Sequence, residues 1–396
     1  MSLKIKTLSI LGVTGSVGRC AVDVVLSAPE KFDVQAVSAF NNVNELAKLA
    51  VQLKAKRAVI DNPDHYKTLK DALAGTGIEA GAGGEALQDA ALLKVDLSLV
   101  AIVGMAGLRP TIAAIQNSKA VAIANKEPLA AAGPLVMRET RKSGARILPV
   151  DSEHNAVFQV FDFERPEGIK KIILTASGGP FRTWSKEQMS RATKEQALAH
   201  PNWAMGPKIT IDSATMMNKA LEIIEAHYLF DIPPEKIEVL IHPQSIIHSM
   251  VEYKDGSVLA QMGASDMRTP VAHVLVWPER IDTPGRTLDW TQLKELTFEQ
   301  PDAKRFPALG LAYDCLKKGP FACVALNAAN EIAVESFLNK NTRFLDTIMT
   351  IEGVLRQVSP QNLETIEDFE DFDRGVRELA RAYIDSHKKQ RVLSSS

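Results

Sequence analysis

Cysteine, long apolar runs and net charge of either sign are all scarce in this chain of 396 residues. The three cysteines are an odd number and form no CxxC pair, which argues against a disulfide framework or a zinc site and indicates a reducing compartment such as the cytoplasm. Neither a run of eighteen apolar residues nor a signal-peptide pattern occurs, so we expect no membrane span and no secretion. The formal net charge of −2 leaves no electrostatic footprint for nucleic acid or for an anionic membrane.

The length and the periodicity predict an α/β protein of several domains. A chain of 396 residues is too long for one ordinary core. Short apolar runs alternate with helical patterns over residues 1–150, which predicts a Rossmann-like domain with a parallel sheet. Residues 151–277 mix strand and helix patterns and predict an α+β catalytic domain. Residues 278–307 hold four prolines and predict a linker, and the helical periodicity of residues 308–396 predicts a bundle.

A glycine-rich turn joins the first predicted strand to the first predicted helix. The strand ends at Leu11, and glycines follow at positions 12, 15 and 18. Glycine lets the backbone approach a pyrophosphate closely, and the start of a helix supplies free N–H groups and the positive end of a dipole. The spacing is G-x-x-G-x-x-G, and such turns also occur where no ligand binds. The βαβ context favours a dinucleotide site.

The second predicted strand bears on which dinucleotide would bind. NAD-binding chains usually carry an acidic residue at the end of this strand, which holds the ribose 2′-hydroxyl. Here the segment from Val37 to Asn42 contains no carboxylate, so nothing in it would repel the 2′-phosphate of NADPH. Ser38, Asn41 and Asn42 could donate hydrogen bonds to that phosphate. The alternative is an Asn-rich turn without a ligand.

Two carboxylates follow a predicted strand at residues 146–149. Asp151 and Glu153 are spaced i, i+2, so in an extended chain their side chains would point the same way. Adjacent carboxylates repel unless a cation lies between them, and hard cations such as Mg²⁺ or Mn²⁺ select oxygen ligands. The alternative is a helix cap followed by a solvated acidic face. The sequence of this segment does not decide between the two.

A third carboxylate lies in a predicted amphipathic helix over residues 214–229, with Asp212 or Ser213 as its N-cap. Asn218 and Glu222 are spaced i, i+4, and Lys219 lies three residues before Glu222, so an amide, an ammonium and a carboxylate share one edge of the helix. Glu222 could therefore be a third metal ligand. Taken alone, the segment favours a solvated Lys219–Glu222 pair.

Two loops have the composition of a phosphate cradle and of a lid. Ser177, Gly178 and Gly179 follow a buried strand and offer a hydroxyl and close backbone N–H groups to an anion. A plain strand-end turn is the alternative. The segment from His200 to Gly206 combines loop-breaking residues with an imidazole and the Trp203 indole, which predicts a mobile lid over a ligand. The alternative there is a surface loop whose Trp203 packs in the core.

Taken together and in this order, these segments resemble the 1-deoxy-D-xylulose 5-phosphate reductoisomerase family. Any one of them could be accidental, but the ordered set spans most of the chain and is highly specific. The matching segments are Gly12–Gly18, Ala124–Glu127, Pro149–Asn155, Ser177–Phe181, His200–Trp203, Asp212–Glu222, His242–Ser249, Asp266–Pro270 and Leu326–Glu331.

The resemblance implies rearrangement and NADPH-dependent reduction of a small sugar phosphate, 1-deoxy-D-xylulose 5-phosphate, to 2-C-methyl-D-erythritol 4-phosphate in non-mevalonate isoprenoid biosynthesis. It implies a homodimer, and Mg²⁺ or Mn²⁺, with Co²⁺ as a further candidate. The implied metal ligands are Asp151, Glu153 and Glu222, which with Lys126 form the catalytic set. The implied substrate-binding residues are Ser152, Ser177, His200, Trp203, Ser213, Asn218 and Lys219. The implied NADPH-binding residues are Gly12, Thr14, Gly15, Ser16, Val17, Asn42, Asn125, Glu127 and Gly206.

The sequence departs from the family pattern at several positions without losing a proposed metal or phosphate ligand. Phe40 and Asn41 stand where some members have Gly and a basic residue, which leaves the contacts to the 2′-phosphate open. Two rival functions remain. Another NADP-dependent dehydrogenase, such as a semialdehyde dehydrogenase, would need a nucleophilic cysteine in its catalytic domain. A non-catalytic nucleotide sensor would carry the carboxylates as surface charge.

Overall fold

The computed structural model describes residues 5–203 and 205–395 of the chain. Over these residues its β-strands are β1 (Lys6–Leu11), β2 (Phe32–Ala39), β3 (Arg57–Ile60), β4 (Glu79–Ala82), β5 (Leu97–Val100), β6 (Ala120–Ile123), β7 (Arg146–Pro149), β8 (Ile169–Ala176), β9 (Ile237–Ile241), β10 (Ile247–Tyr253) and β11 (Val258–Met262).

The α-helices of the same residues alternate with the strands in the first part of the chain, and the last helices follow one another without strands between them. They are α1 (Ser16–Ser27), α2 (Val43–Gln52), α3 (Tyr66–Ala72), α4 (Gly83–Ala91), α5 (Leu108–Asn117), α6 (Glu127–Ser143), α7 (Ser152–Val160), α8 (Lys186–Ser190), α9 (Lys194–Ala197), α10 (Pro207–Thr215), α11 (Met217–Phe230), α12 (Arg268–Val276), α13 (Ala308–Lys318), α14 (Pro320–Leu338), α15 (Asp346–Leu355) and α16 (Ile366–Ser395).

The chain divides into two compact units rather than into the four consecutive segments expected from the sequence. The first unit comprises Met1–Pro128, Val136–Phe158 and Asp266–Thr287, and the second comprises Leu129–Leu135, Gln159–Ser265 and Leu288–Ser396. The expected boundaries at residues 150 and 277 therefore differ from those of the structure. The reason is packing: Val271, Val274 and Leu275 of α12 join the same buried cluster as Val24 of α1.

The first unit is built on a parallel sheet of seven strands in the order β4-β3-β2-β1-β5-β6-β7. This confirms the expected Rossmann-like architecture. The alternation of strands and helices predicted over residues 1–150 is present, but β4 was not predicted, because its residues, Glu-Ala-Gly-Ala, include neither β-branched nor aromatic side chains. The order places the carboxyl ends of β1, β5, β6 and β7 along one edge, where open α/β sheets bind their ligands.

The second unit contains a mixed sheet of four strands in the order β11-β10-β8-β9, with β10 antiparallel to β8 and β11 and with β8 parallel to β9. The single helix predicted over residues 214–229 is wrong. Helix α10 ends at Thr215, Met216 adopts a left-handed φ of 63°, and α11 begins at Met217. Asp212 and Ser213 consequently lie inside α10, and neither is the N-cap of α11.

The last four helices also belong to the second unit and confirm the predicted helical region. Helix α14 is long and apolar enough to cross a membrane. However, 78% of its most apolar stretch of 18 residues is buried inside the structure, as in the core helix of a bundle. The segment 278–307, all of it described, forms no helix or strand apart from one bridge between Ile241 and Glu299. The last part of this segment therefore packs as an extension of the mixed sheet's edge.

Candidate active site

The three glycines of the turn after β1 differ in whether a side chain would fit at their position. Gly12 has a φ of 95°, and a Cβ there would lie 2.4 Å from the Ala101 carbonyl oxygen. A Cβ on Gly18 would lie 2.3 Å from the Gly12 carbonyl oxygen. The nearest atom to a Cβ on Gly15 is 3.4 Å away, and Gly15 is exposed. Gly12 and Gly18 are therefore required by packing, whereas Gly15 leaves open space at the start of α1.

The start of α1 meets the requirements of an anion site. Gly15 is its N-cap, no side chain caps the free N–H groups, and no acidic residue lies in the first turn. Ser16 is exposed, and Thr14 and Val17 are half-buried beside it. Free N–H groups and the positive end of the helix dipole suit a pyrophosphate. The predicted cofactor-binding residues of this turn are thus brought together, although their contacts with a nucleotide remain predictions.

The polar residues at the end of β2 serve the protein's own backbone. Ser38 is buried, and its Oγ accepts a hydrogen bond from the Gly12 N–H at 3.1 Å, so it supports the glycine turn and is not placed to receive a phosphate. The Oδ1 of Asn42 caps α2 by accepting from the Glu45 N–H at 3.3 Å. The Asn41 Oδ1 accepts from the Asn62 amide at 2.8 Å. An Asn-rich turn is therefore present, and recognition of a 2′-phosphate there stays a prediction.

Asn125 and Glu127 follow β6 on the same edge of the sheet. The Nδ2 of Asn125 is buried and has no hydrogen-bond partner within residues 5–203 and 205–395. A buried donor without an acceptor costs about 1–3 kcal/mol, so an acceptor from a bound molecule would relieve that cost. Glu127 is buried in the first turn of α6. The orphaned amide fits the expected nicotinamide half of a dinucleotide.

Lys126 and Asp151 form a buried ion pair at the ends of two neighbouring strands. Strands β6 and β7 are parallel, with Ile123 opposite Pro149, so the residues that follow them reach the same edge. The Lys126 Nζ lies 2.6 Å from the Asp151 Oδ2, and the two side chains are 6% and 9% exposed. Burial alone would raise the pKa of Asp151, but the Lys126 ammonium and hydrogen bonding with His154 hold it well below its ordinary value. Asp151 is therefore an ionised carboxylate in a buried place.

The predicted extended geometry of Asp151 and Glu153 is wrong, because α7 begins at Ser152 and places Glu153 in a helical turn. The Glu153 N–H donates to the Asp151 Oδ1 at 3.3 Å, and the Ser152 hydroxyl donates to the Glu153 Oε2 at 2.7 Å. Asp151 thus does act as a helix cap, but it is buried and so does not belong to a solvated acidic face. Both carboxylates still gather at the end of β7, and their oxygens are the donors that Mg²⁺ and Mn²⁺ prefer.

In the second unit, Ser177 and Ser213 are held next to each other by a close backbone approach. Gly179 has a φ of 67°, and a Cβ there would lie 2.6 Å from the Ser213 carbonyl oxygen. The Gly179 N–H donates to the Ser177 Oγ at 3.1 Å. The turn after β8 therefore rests on the end of α10, so that two predicted phosphate-binding hydroxyls share one locality.

His200 fixes the direction in which the Ser177 hydroxyl can donate. The Nδ1 of His200 accepts from the backbone N–H groups of Asn202 and Trp203 at 3.2 and 3.0 Å, so its proton must sit on Nε2. That Nε2–H points to the Ser177 Oγ at 3.0 Å. Burial lowers the pKa of His200, which favours this neutral ring. Because the Ser177 oxygen accepts from both His200 and Gly179, its own proton is left for a ligand oxygen.

The predicted lid is anchored on the second unit at its first residues. The Asn202 amide donates to the Pro243 carbonyl at 2.6 Å and to the Ser245 hydroxyl at 2.9 Å. The Trp203 ring lies 5.9 Å from the ring of His248 and is only half-buried, so it is not a core residue. Gly206 is exposed and forms the N-cap of α10. The role of Gly206 toward NADPH remains a prediction.

Glu222 and Lys219 are buried, which overturns the solvated pair favoured by the sequence of the segment. Their side chains are 0% and 4% exposed and form an ion pair within α11. The Asn218 amide donates to the Glu222 Oε1 at 2.5 Å. A buried carboxylate needs such partners, because desolvation penalises an isolated charge heavily. Glu222 is thus a second buried oxygen donor, besides Asp151, with the chemistry of a hard-metal ligand.

Sequence reasoning missed several contacts that organise these residues. The Lys126–Asp151 pair could have been found from topology, since Lys126 lies three residues after the end of β6 and Asp151 lies two residues after the end of the neighbouring parallel strand β7. The inward role of Ser38 and the contact of Gly179 with Ser213 have no local signal. The structure assigns Lys126, Asp151 and Glu153 to the first unit, and it assigns the residues around Ser177, Ser213 and Glu222 to the second.

Comparison with known proteins finds one family along nearly the whole chain. Residues 8–133 match the family described as 1-deoxy-D-xylulose 5-phosphate reductoisomerase, and residues 147–230 and 262–379 match two C-terminal domains of that reductoisomerase. The chain is 50% identical over 381 residues to the reductoisomerase of Zymomonas mobilis subsp. mobilis, covering 96% of this chain and 98% of the relative. It is 51% identical over 380 residues to that of Rhodospirillum centenum, covering 96% and 94%.

Solved structures give the same result. The structure of the Zymomonas mobilis reductoisomerase in complex with NADPH has a TM-score of 0.92 and 49% identity, and the match covers 97% of this chain and 100% of that one. A DOX-P reductoisomerase in complex with NADPH, fosmidomycin and magnesium has a TM-score of 0.94 and 41% identity, with 97% and 99% covered. The chain belongs to the 1-deoxy-D-xylulose 5-phosphate reductoisomerase family.

Proposed function

We propose that the protein rearranges 1-deoxy-D-xylulose 5-phosphate and reduces the product with NADPH to 2-C-methyl-D-erythritol 4-phosphate, a step of non-mevalonate isoprenoid biosynthesis. The chain belongs to this family, and the observation that carries the proposal is the pair of features at one edge of the first unit's sheet. This edge holds both an uncapped glycine turn fit for a dinucleotide and the ionised, buried Asp151. A redox coenzyme and an electrostatic centre are the two requirements of a reductive rearrangement.

The cofactors follow from the donor groups. NADPH would lie against the turn from Gly12 to Gly18 and would supply the hydride. Asp151, Glu153 and Glu222 would hold a divalent cation, whose chemistry is to stabilise negative charge on the substrate's oxygens. The solved relatives contain NADPH and magnesium, which supports Mg²⁺ for this chain. Mn²⁺ is the natural alternative, because the same hard oxygen donors suit it.

The second unit would hold the substrate by its phosphate. The Ser177 hydroxyl, oriented by His200 and Gly179, would donate to a phosphate oxygen. Ser213, Asn218 and Lys219 would supply the other donors, and the half-buried Trp203 would exclude water when the lid closes. Binding the phosphate away from the reacting carbons orients the carbon chain for the reaction. In the first unit, Ser152 and Lys126 would contact the substrate's oxygens.

The two rival functions are less well supported. A semialdehyde dehydrogenase needs a reactive thiolate, but burial raises the pKa of Cys315 to about 12, and burial also raises the pKa of Cys323 and of Cys20. A non-catalytic sensor would leave its carboxylates on the surface, whereas Asp151 and Glu222 are buried. Metal-dependent turnover would exclude the sensor.

The test is NADPH oxidation, followed by its absorbance, with 1-deoxy-D-xylulose 5-phosphate as the substrate. The reaction is run with Mg²⁺ or Mn²⁺ and again with excess EDTA, and 2-C-methyl-D-erythritol 4-phosphate is identified by mass spectrometry. We expect oxidation that needs both substrate and metal. If folded protein oxidises no NADPH with any divalent cation, the reductoisomerase function is wrong and a sensor becomes the better proposal.

We also propose a cytoplasmic homodimer. Three free thiols suit a reducing compartment. Strand β11 is the edge of the mixed sheet, and its Val258 and Leu259 are 47% and 49% exposed, which is unusual for an unprotected edge. A second copy of the chain would cover them. Light scattering after size exclusion should give twice the chain mass, and Val258→Lys should shift it toward the monomer.

A further inference from the structure

Asp212 is a buried carboxylate that the proposed chemistry does not use. It lies inside α10 and is 1% exposed. Its Oδ1 accepts a hydrogen bond from the Asn330 Nδ2 at 2.8 Å, and its Oδ2 pairs with the Lys208 Nζ at 2.9 Å. Both oxygens are therefore engaged by protein groups, so this carboxylate serves the protein and is not a ligand-binding group.

Asn330 connects α10 to a helix more than a hundred residues further along the chain. It lies in α14, the buried helix of the C-terminal part, and is 0% exposed. Among the described residues its Oδ1 has no hydrogen-bond partner, so the bond to Asp212 is the contact that its buried amide makes. The bond to Asp212 is charge-assisted, and such bonds are shorter and stronger than neutral ones. This contact therefore connects α10 to a helix that is buried along most of its length.

Helix α10 connects the predicted lid to one of the predicted phosphate-binding residues. Its N-cap, Gly206, ends the lid segment, and Ser213 lies one residue after Asp212. The Ser213 carbonyl oxygen is also the atom that would lie 2.6 Å from a Cβ on Gly179. A small shift of α10 would consequently move Ser213 relative to the Ser177 turn.

We propose that the Asp212–Asn330 hydrogen bond positions α10 for phosphate binding, so that both are positioning residues for the substrate. The proposal rests on the proposed function in one respect, the role of Ser213 toward the substrate phosphate. It assigns a function to the C-terminal helices, which contribute no residue to the candidate site: they hold the phosphate-binding helix in place through α14.

Asn327 offers a matched control on the same helix. It is also 0% exposed, its Oδ1 also has no partner, and its Nδ2 also donates to a carboxylate, the Glu331 Oε1 at 3.0 Å. That carboxylate lies on α14 itself and not on α10. Asn330→Ala and Asn327→Ala therefore remove the same group from equally buried positions, but only the first removes a hydrogen bond to α10.

The first readout is the kinetics with 1-deoxy-D-xylulose 5-phosphate. We expect Asn330→Ala to raise its KM on the order of tenfold, as for a lost hydrogen bond to a charged group, with the NADPH affinity and kcat nearly unchanged. Asn327→Ala should lose comparable stability but keep the wild-type KM. Equal KM values in the two variants would overturn the proposal. If the alanine variants fold poorly, Asn330→Leu and Asn327→Leu keep the volume and carry the same expectation.

The second readout does not depend on the reaction. Hydrogen exchange of peptides covering residues 207–215 should be faster in Asn330→Ala than in Asn327→Ala or the wild type, because α10 loses its tie. Equal protection in both variants would contradict the positioning role even if the enzyme is active. If the wild type fails to convert the substrate while exchange still differs, the proposed function is wrong and the tie between α10 and α14 stands.

Discussion

Backbone shape defines the candidate nucleotide turn of the first unit, whereas buried polar side chains define the candidate substrate residues of the second. Gly12 and Gly18 are required because the backbone itself fills the space of a Cβ. Around Glu222, by contrast, the geometry comes from an ammonium and an amide that meet a buried carboxylate.

This difference determines how each unit should respond to mutation. A turn formed by backbone tolerates a change of charge but not of volume. A Cβ on Gly12 or Gly18 would lie only 2.3–2.4 Å from a main-chain oxygen. A cluster of buried charges tolerates little loss of charge, because each removal leaves a partner without its counter-ion. Isosteric substitutions should therefore be severe in the second unit, and added methyl groups should be severe in the first.

The largest effect is expected for Glu222→Gln, which keeps the shape and the Oε1 acceptor for Asn218 but removes the charge. We expect kcat with 1-deoxy-D-xylulose 5-phosphate to fall on the order of 10²–10³-fold, as when a transition-state electrostatic group is lost. NADPH affinity should stay the same, because the glycine turn is untouched. Steady-state kinetics and a fluorescence titration with NADPH measure the two quantities.

Glu238→Gln is the control for that experiment, because Glu238 is a carboxylate of the same unit that is 36% exposed and pairs with Lys171 at the surface. Its kinetics should equal those of the wild type. If Glu222→Gln weakened NADPH binding as much as turnover, the assignment of Glu222 as a metal ligand would fail.

Ser177→Ala should have the next largest effect. The substitution removes the hydroxyl that His200 and Gly179 orient, and with it a hydrogen bond to a charged phosphate oxygen. Such bonds contribute about 1.5–3 kcal/mol, so KM for the substrate should rise roughly tenfold to a hundredfold, with NADPH affinity unchanged. Ser190→Ala is the control, because the Ser190 hydroxyl donates to the local Glu187 carbonyl, three residues earlier in the chain. A fall in kcat at constant KM would contradict a role in binding the phosphate.

Local patterns were predicted in both units: the glycine turn and the alternation of strands and helices in the first, and the mixed strands and the helices of residues 308–396 in the second. Strand β4 was missed because its residues lack strand-forming side chains. The break between α10 and α11 depends on Met216 in a left-handed conformation, which no local residue preference indicates.

The candidate residues themselves were found, but their surroundings were not. The sequence could not tell a solvated Lys219–Glu222 pair from a buried one, since burial is decided by distant packing. The return of Asp266–Thr287 to the first unit is non-local in the same way. Asp151 and Glu153 were placed at the correct strand end with the wrong geometry, because a helix begins at Ser152, inside the segment that was expected to be extended.

A pair of glycine substitutions tests how backbone shape defines the candidate nucleotide turn of the first unit. Gly18→Ala places a Cβ 2.3 Å from main-chain oxygen, so the turn must shift, and we expect a loss of about 1–3 kcal/mol in stability. Gly15→Ala has 3.4 Å of clearance at a φ of −72°, so its stability should stay within about 0.5 kcal/mol of the wild type.

In NADPH binding, by contrast, Gly15→Ala should show a clear effect although its stability is close to that of the wild type. The Gly15 methyl would occupy the open space at the start of α1, so the Kd for NADPH should rise several-fold in a normally folded protein. Thermal unfolding and NADPH titration measure both quantities. Normal NADPH affinity in Gly15→Ala would mean that the pyrophosphate does not approach this residue.

The smallest effect is expected in the stability at acidic pH, to which one buried histidine of each unit contributes. Burial lowers the pKa of His248 in the second unit and of His273 in the first to about 4. Besides its burial, the nearby Arg280 charge lowers the pKa of His273, and the Nδ1 of the neutral ring accepts a hydrogen bond from the Asn155 amide at 3.1 Å. In the unfolded chain both rings bind a proton below about pH 6.5, whereas in the folded chain they bind it only near pH 4. Stability should therefore be full above the unfolded pKa and should fall as the pH falls from 6.5 toward 4.

Each ring should contribute on the order of 1 kcal/mol to the loss between about pH 7 and pH 5.5. Calorimetry at these two pH values measures it, with His273→Gln and His248→Gln as variants that cannot titrate. Each variant should flatten the pH dependence by about half of what the pair contributes. If His273→Gln flattened it and His248→Gln did not, the first unit alone would limit stability in acid, and the two units would differ in electrostatics as they already do in the construction of their candidate sites.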